Sequence, residues 1–120
     1  MRPGEIYLAR FPFGDVPGMR PVLLLTGSIG SVPEVLVAYI SSVLPAQPLP
    51  SDLVMDLATQ EFQSTHLKVT SALRLHKLAT IHCSSRARHL GVLESAQLAI
   101  VAEKLRALLG LTAETASQSG

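Results

Sequence analysis

The chain has 120 residues, 48% apolar and 4% aromatic with no Trp, which fits one domain whose core is built mainly from Leu, Val, Ile and Ala. A formal net charge of +1 excludes a strongly basic nucleic-acid coat but leaves room for a local basic groove. The single cysteine, Cys83, cannot close an internal disulfide, the opening Met1-Arg2-Pro3-Gly4-Glu5 carries no apolar leader, and the runs Pro21 to Leu25 and Val35 to Ile40 are too short to cross a bilayer, so a soluble cytoplasmic protein is expected.

Glu5-Ile6-Tyr7-Leu8-Ala9-Arg10 alternates polar and apolar and predicts a half-buried first strand. Phe11-Pro12-Phe13 ends it, because proline cannot donate to a ladder. Gly14-Asp15-Val16-Pro17-Gly18 then reads as a surface loop, and Pro21 to Thr26 as a buried second strand. Arg20 sits at the boundary, its backbone driven extended by the following proline. A guanidinium at the mouth of a loop and anchored to a strand suits a phosphate; it equally suits a solvated charge.

After a turn-rich connection from Gly27 to Pro33, Glu34 to Ile40 predicts a third strand, apolar on both faces and therefore central, closed by Ser41-Ser42. Pro45, Pro48 and Pro50 stiffen the next loop, and Asp52-Leu53-Val54-Met55-Asp56 is a short fourth strand. Thr59 to Thr65 reads as a polar linker. Alternation then resumes, with Leu67, Val69, Leu73 and Leu75 on one face and Lys68, Thr70, Arg74 and His76 on the other. A short strand from Ala79 to His82 follows, then a basic turn with Arg86, Arg88 and His89, then Leu90 to Leu93.

The period changes at the end. Leu98, Val101, Leu105, Leu108 and Leu109 recur at helical spacing, Gly110 is a natural stop, and Glu94 with Gln97 makes a weak capping box because Glu is a poor N-cap. Thr112 to Gly120 lacks bulky apolar residues and is expected to be a disordered tail, leaving 1–111 as the folded domain. Short strands joined by turns, followed by one helix, describe a small, strongly bent antiparallel barrel: a mainly β fold with a C-terminal helix.

Several strings in this order resemble the MazF/PemK-type toxins of toxin–antitoxin modules, which are sequence-specific endoribonucleases. They are Gly4-Glu5-Ile6-Tyr7, Phe11-Pro12-Phe13-Gly14-Asp15, Arg20-Pro21-Val22-Leu23, Val37-Ala38-Tyr39-Ile40-Ser41-Ser42, Arg74-Leu75-His76-Lys77-Leu78-Ala79-Thr80-Ile81, and Leu90-Gly91-Val92-Leu93 leading into the helix that ends Leu108-Leu109-Gly110-Leu111. The resemblance implies an SH3-like small barrel of the CcdB/MazF type, a two-fold homodimer with an RNA groove across its interface, and a cognate antitoxin whose C-terminal segment fills that groove. It carries the family's essential arginine onto Arg20, its essential hydroxyl onto Ser41 (usually Thr), and a second hydroxyl onto Ser42. Phe13, Gly18, Ser42, His76 and Lys77 are the expected RNA-binding positions, Phe13 either stacking a base or capping the barrel. Three departures stand out: Ser41 lacks the β-branch that fixes a rotamer, the loop before Arg20 holds no Gln or Asn to read a base, and Glu94 replaces a Ser cap.

Metal-free cleavage of single-stranded RNA uses the ribose 2′-OH as nucleophile on its own phosphate. Arg20 is then the expected electrostatic clamp, since a guanidinium offers parallel donors, and Ser41 a further donor; the general base has no assigned residue. Histidine is the usual acid–base side chain, but the spacing of His66, His76, His82 and His89 does not demand convergence, and surface positions are expected, with His76 the one to test. Arg86 and Arg88 fit phosphate contacts or a solvated turn equally. His82-Cys83 with His89 is one fragment of a metal motif rather than two pairs, so no metal or cofactor is expected. The competing reading is a non-nuclease on the same barrel, a CcdB-like gyrase poison or an inactive homologue. A resemblance to gyrase poisons of that type would imply a target-binding end of the terminal helix with aromatic residues, which Leu108-Leu109-Gly110 and the polar tail after it do not match. A plain peptide-binding SH3-like domain needs an aromatic groove that two Tyr and three Phe hardly furnish.

Overall fold

A computed structural model describes residues 1–10 and 18–111. The predicted loop from Phe11 to Pro17 and the predicted tail from Thr112 to Gly120 therefore lie outside the described residues. Six strands run β1 (Glu5–Arg10), β2 (Met19–Leu24), β3 (Glu34–Ser41), β4 (Asp52–Met55), β5 (Ser71–His82) and β6 (Arg86–Val92), and helix α1 (Ser95–Leu109) follows. They form one antiparallel sheet in the order β4-β5-β3-β2-β1-β6. The expected class, mainly β with one C-terminal helix, is borne out as a curled six-stranded half-barrel.

β3 lies inside the sheet, as its two apolar faces require. Val35 and Val37 join Val22, Leu24, Ala9, Ala79 and Ile81 on one side, while Ala38 and Ile40 join Ile6, Leu23, Leu73, Leu75 and Val101 on the other. α1 covers the second side through Val101, with Leu98 and Leu105 packed against the cluster. Leu108 and Leu109, counted in the same stripe from sequence, are exposed; the last turn stands beside Leu49 and Pro50, and Lys104 donates to the Pro50 carbonyl at 2.9 Å. Glu94 gives no side-chain cap, as expected of a poor N-cap. Gly110 ends the helix at φ 73°, with its N–H on the Ala107 carbonyl and that of Leu111 on Arg106, a Schellman closure.

Three sequence expectations are corrected. The two strands foreseen around Leu67–His76 and Ala79–His82 are one strand, β5, with an irregularity: Ala38 pairs with Leu78 but Tyr39 pairs with Arg74, so Leu75, His76 and Lys77 stand extra on β5. Such an insertion bends a strand and sharpens its twist, which lets β5 turn the corner between the two apolar clusters. The basic turn is instead the first half of β6, with Leu8 opposite Arg88 and Tyr7 opposite His89. The polar linker is a 3₁₀ turn, Gln60–Thr65, that buries Phe62 and Thr65.

That turn narrows the gap between the two ends of the sheet. Ser64 Oγ donates to the Val92 carbonyl at 2.8 Å and His66 Nδ1 bonds the Leu90 carbonyl at 3.0 Å, so side chains satisfy acceptors on the free edge of β6. Gly91 between them permits the approach, since a Cβ there would sit 2.3 Å from the Ser64 carbonyl oxygen.

Candidate functional site

Where the turn meets β6, there is a cavity of about 260 Å³. Several described segments contribute to it: Leu8 from β1, Arg20 and Pro21 from β2, Ile40 and Ser42 at the end of β3, His66 to Val69 and Ser71 leading into β5, and Arg88 and Leu90 from β6. Pro21 sets its own φ and confines the preceding Arg20 to extended backbone, so Arg20 is delivered at the rim by a rigid strand start. Gly18, two residues earlier, is exposed at φ 94° with open space around it, a conformation that favours glycine.

The electrostatics of the lining are one-sided. Among the described residues the lining carries Arg20, Lys68 and Arg88 with the imidazole of His66, and no carboxylate. Among the described residues Arg20 forms no ion pair, and its Nε is buried without a hydrogen-bond partner. A buried donor left unsatisfied costs about 1–3 kcal/mol.

Of the residues singled out from sequence, Arg20 and Ser42 come together in this lining. Phe13 lies outside the described residues. The β2–β3 ladder ends at Val22↔Tyr39, so Arg20 and Ser41 are each two residues past the last pair. Ser41 is not part of the lining; its Oγ accepts from the Val43 N–H and donates to the Val43 carbonyl, both at 3.1 Å, and so ties the turn that presents Ser42. His76 and Lys77 stand on the β5 irregularity, away from the lining. His76 Nδ1 is 3.8 Å from Asp52, and Lys77 Nζ lies 5.6 Å from the centre of the Tyr39 ring.

Asp52 is fully buried and holds Arg74 Nε at 2.7 Å, while its other oxygen accepts the Leu49 N–H at 2.8 Å. This is a structural tie between β4, β5 and the proline-rich loop. On the opposite face of β6, the Arg86 guanidinium lies 5.2 Å from the Tyr7 ring centre, and His89 meets the same ring edge-on at 5.0 Å. His89 Nε2 is 3.3 Å from Glu5. Burial alone raises the Glu5 carboxyl, but the Arg2 backbone N–H and the charges of the N-terminus, His89 and Arg2 outweigh it, so its pKa falls below the ordinary 4.5. Among the described residues no group of three or more His, Cys, Asp or Glu is placed to hold a metal ion, and no helix is long and apolar enough to cross a membrane.

The family model for PemK-like, MazF-like toxins of type II toxin–antitoxin systems matches residues 2–109. The chain belongs to that toxin family. Its fold is similar to Mycobacterium tuberculosis toxin MazF-mt6, with TM-score 0.70, 24% identity, and 92% of this chain and 99% of that one covered. It is also similar to an endoribonuclease from mycobacterial species, with TM-score 0.69, 16% identity and 92% of each chain covered. A mycobacterial endoribonuclease in complex with its cognate antitoxin has TM-score 0.69 and 15% identity over 93% of this chain and 97% of that one. No curated protein sequence matches the chain.

For this MazF-family toxin, sequence reasoning missed Lys68 and His66 as residues that share the cavity lining with Arg20, and it left Arg88 undecided. Alternation put Lys68 on a solvent face, and nothing local reveals that the 3₁₀ turn folds residues 66–71 against β6. Gly91 carries a hint, a residue without a side chain in a strand whose pairing with β1 shifts register beside it.

Proposed function

We propose that this toxin is a metal-independent endoribonuclease that cleaves single-stranded RNA, using the ribose 2′-OH as nucleophile. The supporting observation is the cavity at Arg20, which among the described residues is lined by cations and no carboxylate and where the buried Arg20 Nε has no partner. A hard divalent cation asks for carboxylate ligands, and this lining offers guanidinium, ammonium and hydroxyl donors that suit the phosphate directly. In this reading Arg20 neutralises the charge that builds on the equatorial oxygens, with Lys68 and Arg88 holding the backbone on either side. Ser42 supplies a hydroxyl donor from the cavity wall, and Ser41 positions it through the Val43 turn.

The working protein is then a cytoplasmic homodimer that binds RNA and is neutralised by a cognate antitoxin; the neighbour solved with its antitoxin supports such a partner. The test is incubation of the purified toxin with a long RNA in EDTA. Cleavage to 2′,3′-cyclic phosphate and 5′-hydroxyl ends is expected, lost in Arg20→Ala. A folded wild type that leaves the RNA intact, or an Arg20→Ala variant as active as wild type, overturns the assignment.

A further inference from the structure

We propose that His66 is the general base of this site, the group that removes the proton from the attacking 2′-hydroxyl; the proposal rests on the endoribonuclease reading. Three observations meet on this side chain. His66 belongs to the lining that holds Arg20 and Ser42. Its Nδ1 lies 3.0 Å from the Leu90 carbonyl oxygen, and a carbonyl only accepts, so Nδ1 carries the hydrogen. The neutral ring therefore keeps its lone pair on Nε2, which has no partner among the described residues.

The ring is exposed, but the backbone that carries it is fixed. His66 is the one described non-glycine residue at positive φ, 55°, and its N–H bonds the Gln63 carbonyl at 3.3 Å. Just before it, Thr65 is fully buried with its hydroxyl on the Phe62 carbonyl at 2.7 Å. A non-glycine residue in this backbone region persists where its surroundings over-determine it, and such residues gather at functional sites. The charged groups that share the cavity with His66 are Lys68 on its own segment, Arg20 from β2 and Arg88 from β6. Arg and Lys side chains offer only donors, whereas an imidazole with a free ring nitrogen offers an acceptor, and His66 is the imidazole of the described lining. His76, the histidine favoured from sequence, faces Asp52 instead.

The step balances without a co-reactant beyond water. Nε2 takes the proton from the 2′-hydroxyl, O2′ bonds to phosphorus, and the bond from phosphorus to O5′ breaks. The leaving oxygen takes a proton from water, and the imidazolium returns its proton to solvent. The products are a 2′,3′-cyclic phosphate and a 5′-hydroxyl.

The experiment is single-turnover cleavage of RNA in EDTA across about pH 5 to 9, with wild type, His66→Asn, His66→Gly and Arg20→Ala. Asn tolerates positive φ and keeps a donor for the Leu90 carbonyl, and Gly relieves the backbone altogether, so both variants are built to fold. Wild type is expected to lose rate toward acid as the base is protonated. His66→Asn should fall roughly 10²- to 10⁴-fold and lose that acid limb, while binding RNA with a 2′-deoxy cleavage site as wild type does. Added imidazole should restore part of the His66→Gly rate. A wild-type rate independent of pH overturns the proposal, as does a folded His66→Asn within threefold of wild type. If wild type cleaves and Arg20→Ala does not while His66→Asn is unaffected, this inference alone fails; if folded wild type never cleaves, the endoribonuclease reading fails and takes it down as well.

Discussion

Gly91 is where the fold and the candidate site depend on one missing methyl group. An ideal Cβ there falls 2.3 Å from the Ser64 oxygen, 2.5 Å from the Thr65 oxygen and 2.6 Å from the Thr65 carbonyl carbon, all backbone atoms. A comfortable carbon–oxygen contact is about 3.3 Å or more, so in Gly91→Ala the 3₁₀ turn must retreat by about 1 Å. That movement stretches the 2.8 Å bond from Ser64 to Val92 and the 3.0 Å bond from His66 to Leu90 beyond useful length. Two hydrogen bonds at about 1 kcal/mol each are lost. Buried Phe62 rides on the same turn, and losing a third of a contribution of about 3–5 kcal/mol adds about 1 more. The sum, about 3 kcal/mol, should lower Tm by roughly 10 °C. Circular dichroism melting of Gly91→Ala beside Gly30→Ala separates this clash from ordinary glycine effects. Gly30 has φ 70° but nothing near its Cβ position, so its cost is the backbone penalty of about 1–2 kcal/mol. A Gly91→Ala protein melting within about 2 °C of wild type would refute the close-approach argument.

Four further outcomes are expected. Asp52→Ala strips Arg74 and the Leu49 N–H of their shared acceptor and should cost about 2–4 kcal/mol by urea unfolding, with no gain in cleavage. Because the Glu5 pKa is lowered on folding, its stabilisation is complete above the ordinary 4.5 and drains away as pH falls through the folded value; the Tm gap between wild type and Glu5→Gln should therefore shrink on acidification. Lys68→Ala and Arg88→Ala should each weaken RNA binding across sequences and reduce the salt slope by about 0.7, measured by fluorescence anisotropy. Ser42→Ala should lower cleavage about 10²-fold through a lost donor, whereas Ser41→Ala should act mainly on stability, by about 1 kcal/mol in urea unfolding.

The sequence by itself determined the strand and helix inventory wherever a period is local. The alternation of Glu5–Arg10, the two-sided apolar run of β3 and the 3.6-residue stripe from Leu98 to Leu105 each follow from which faces must leave water, and Pro21 alone pins Arg20 to an extended strand start. Only the tertiary structure decided what surrounds Arg20. Ser42 rather than Ser41 lines the cavity because the Ser41 hydroxyl is engaged by its own turn. His66, Lys68 and Arg88 reach it because a polar-looking segment buries Phe62 and docks on β6, and a three-residue irregularity bends β5. Those contacts join residues some twenty to seventy positions apart, across strands whose pairing no local periodicity records. Local hydrophobic period selects elements; convergence of charges depends on register, bulges and close backbone approach, which belong to the folded whole.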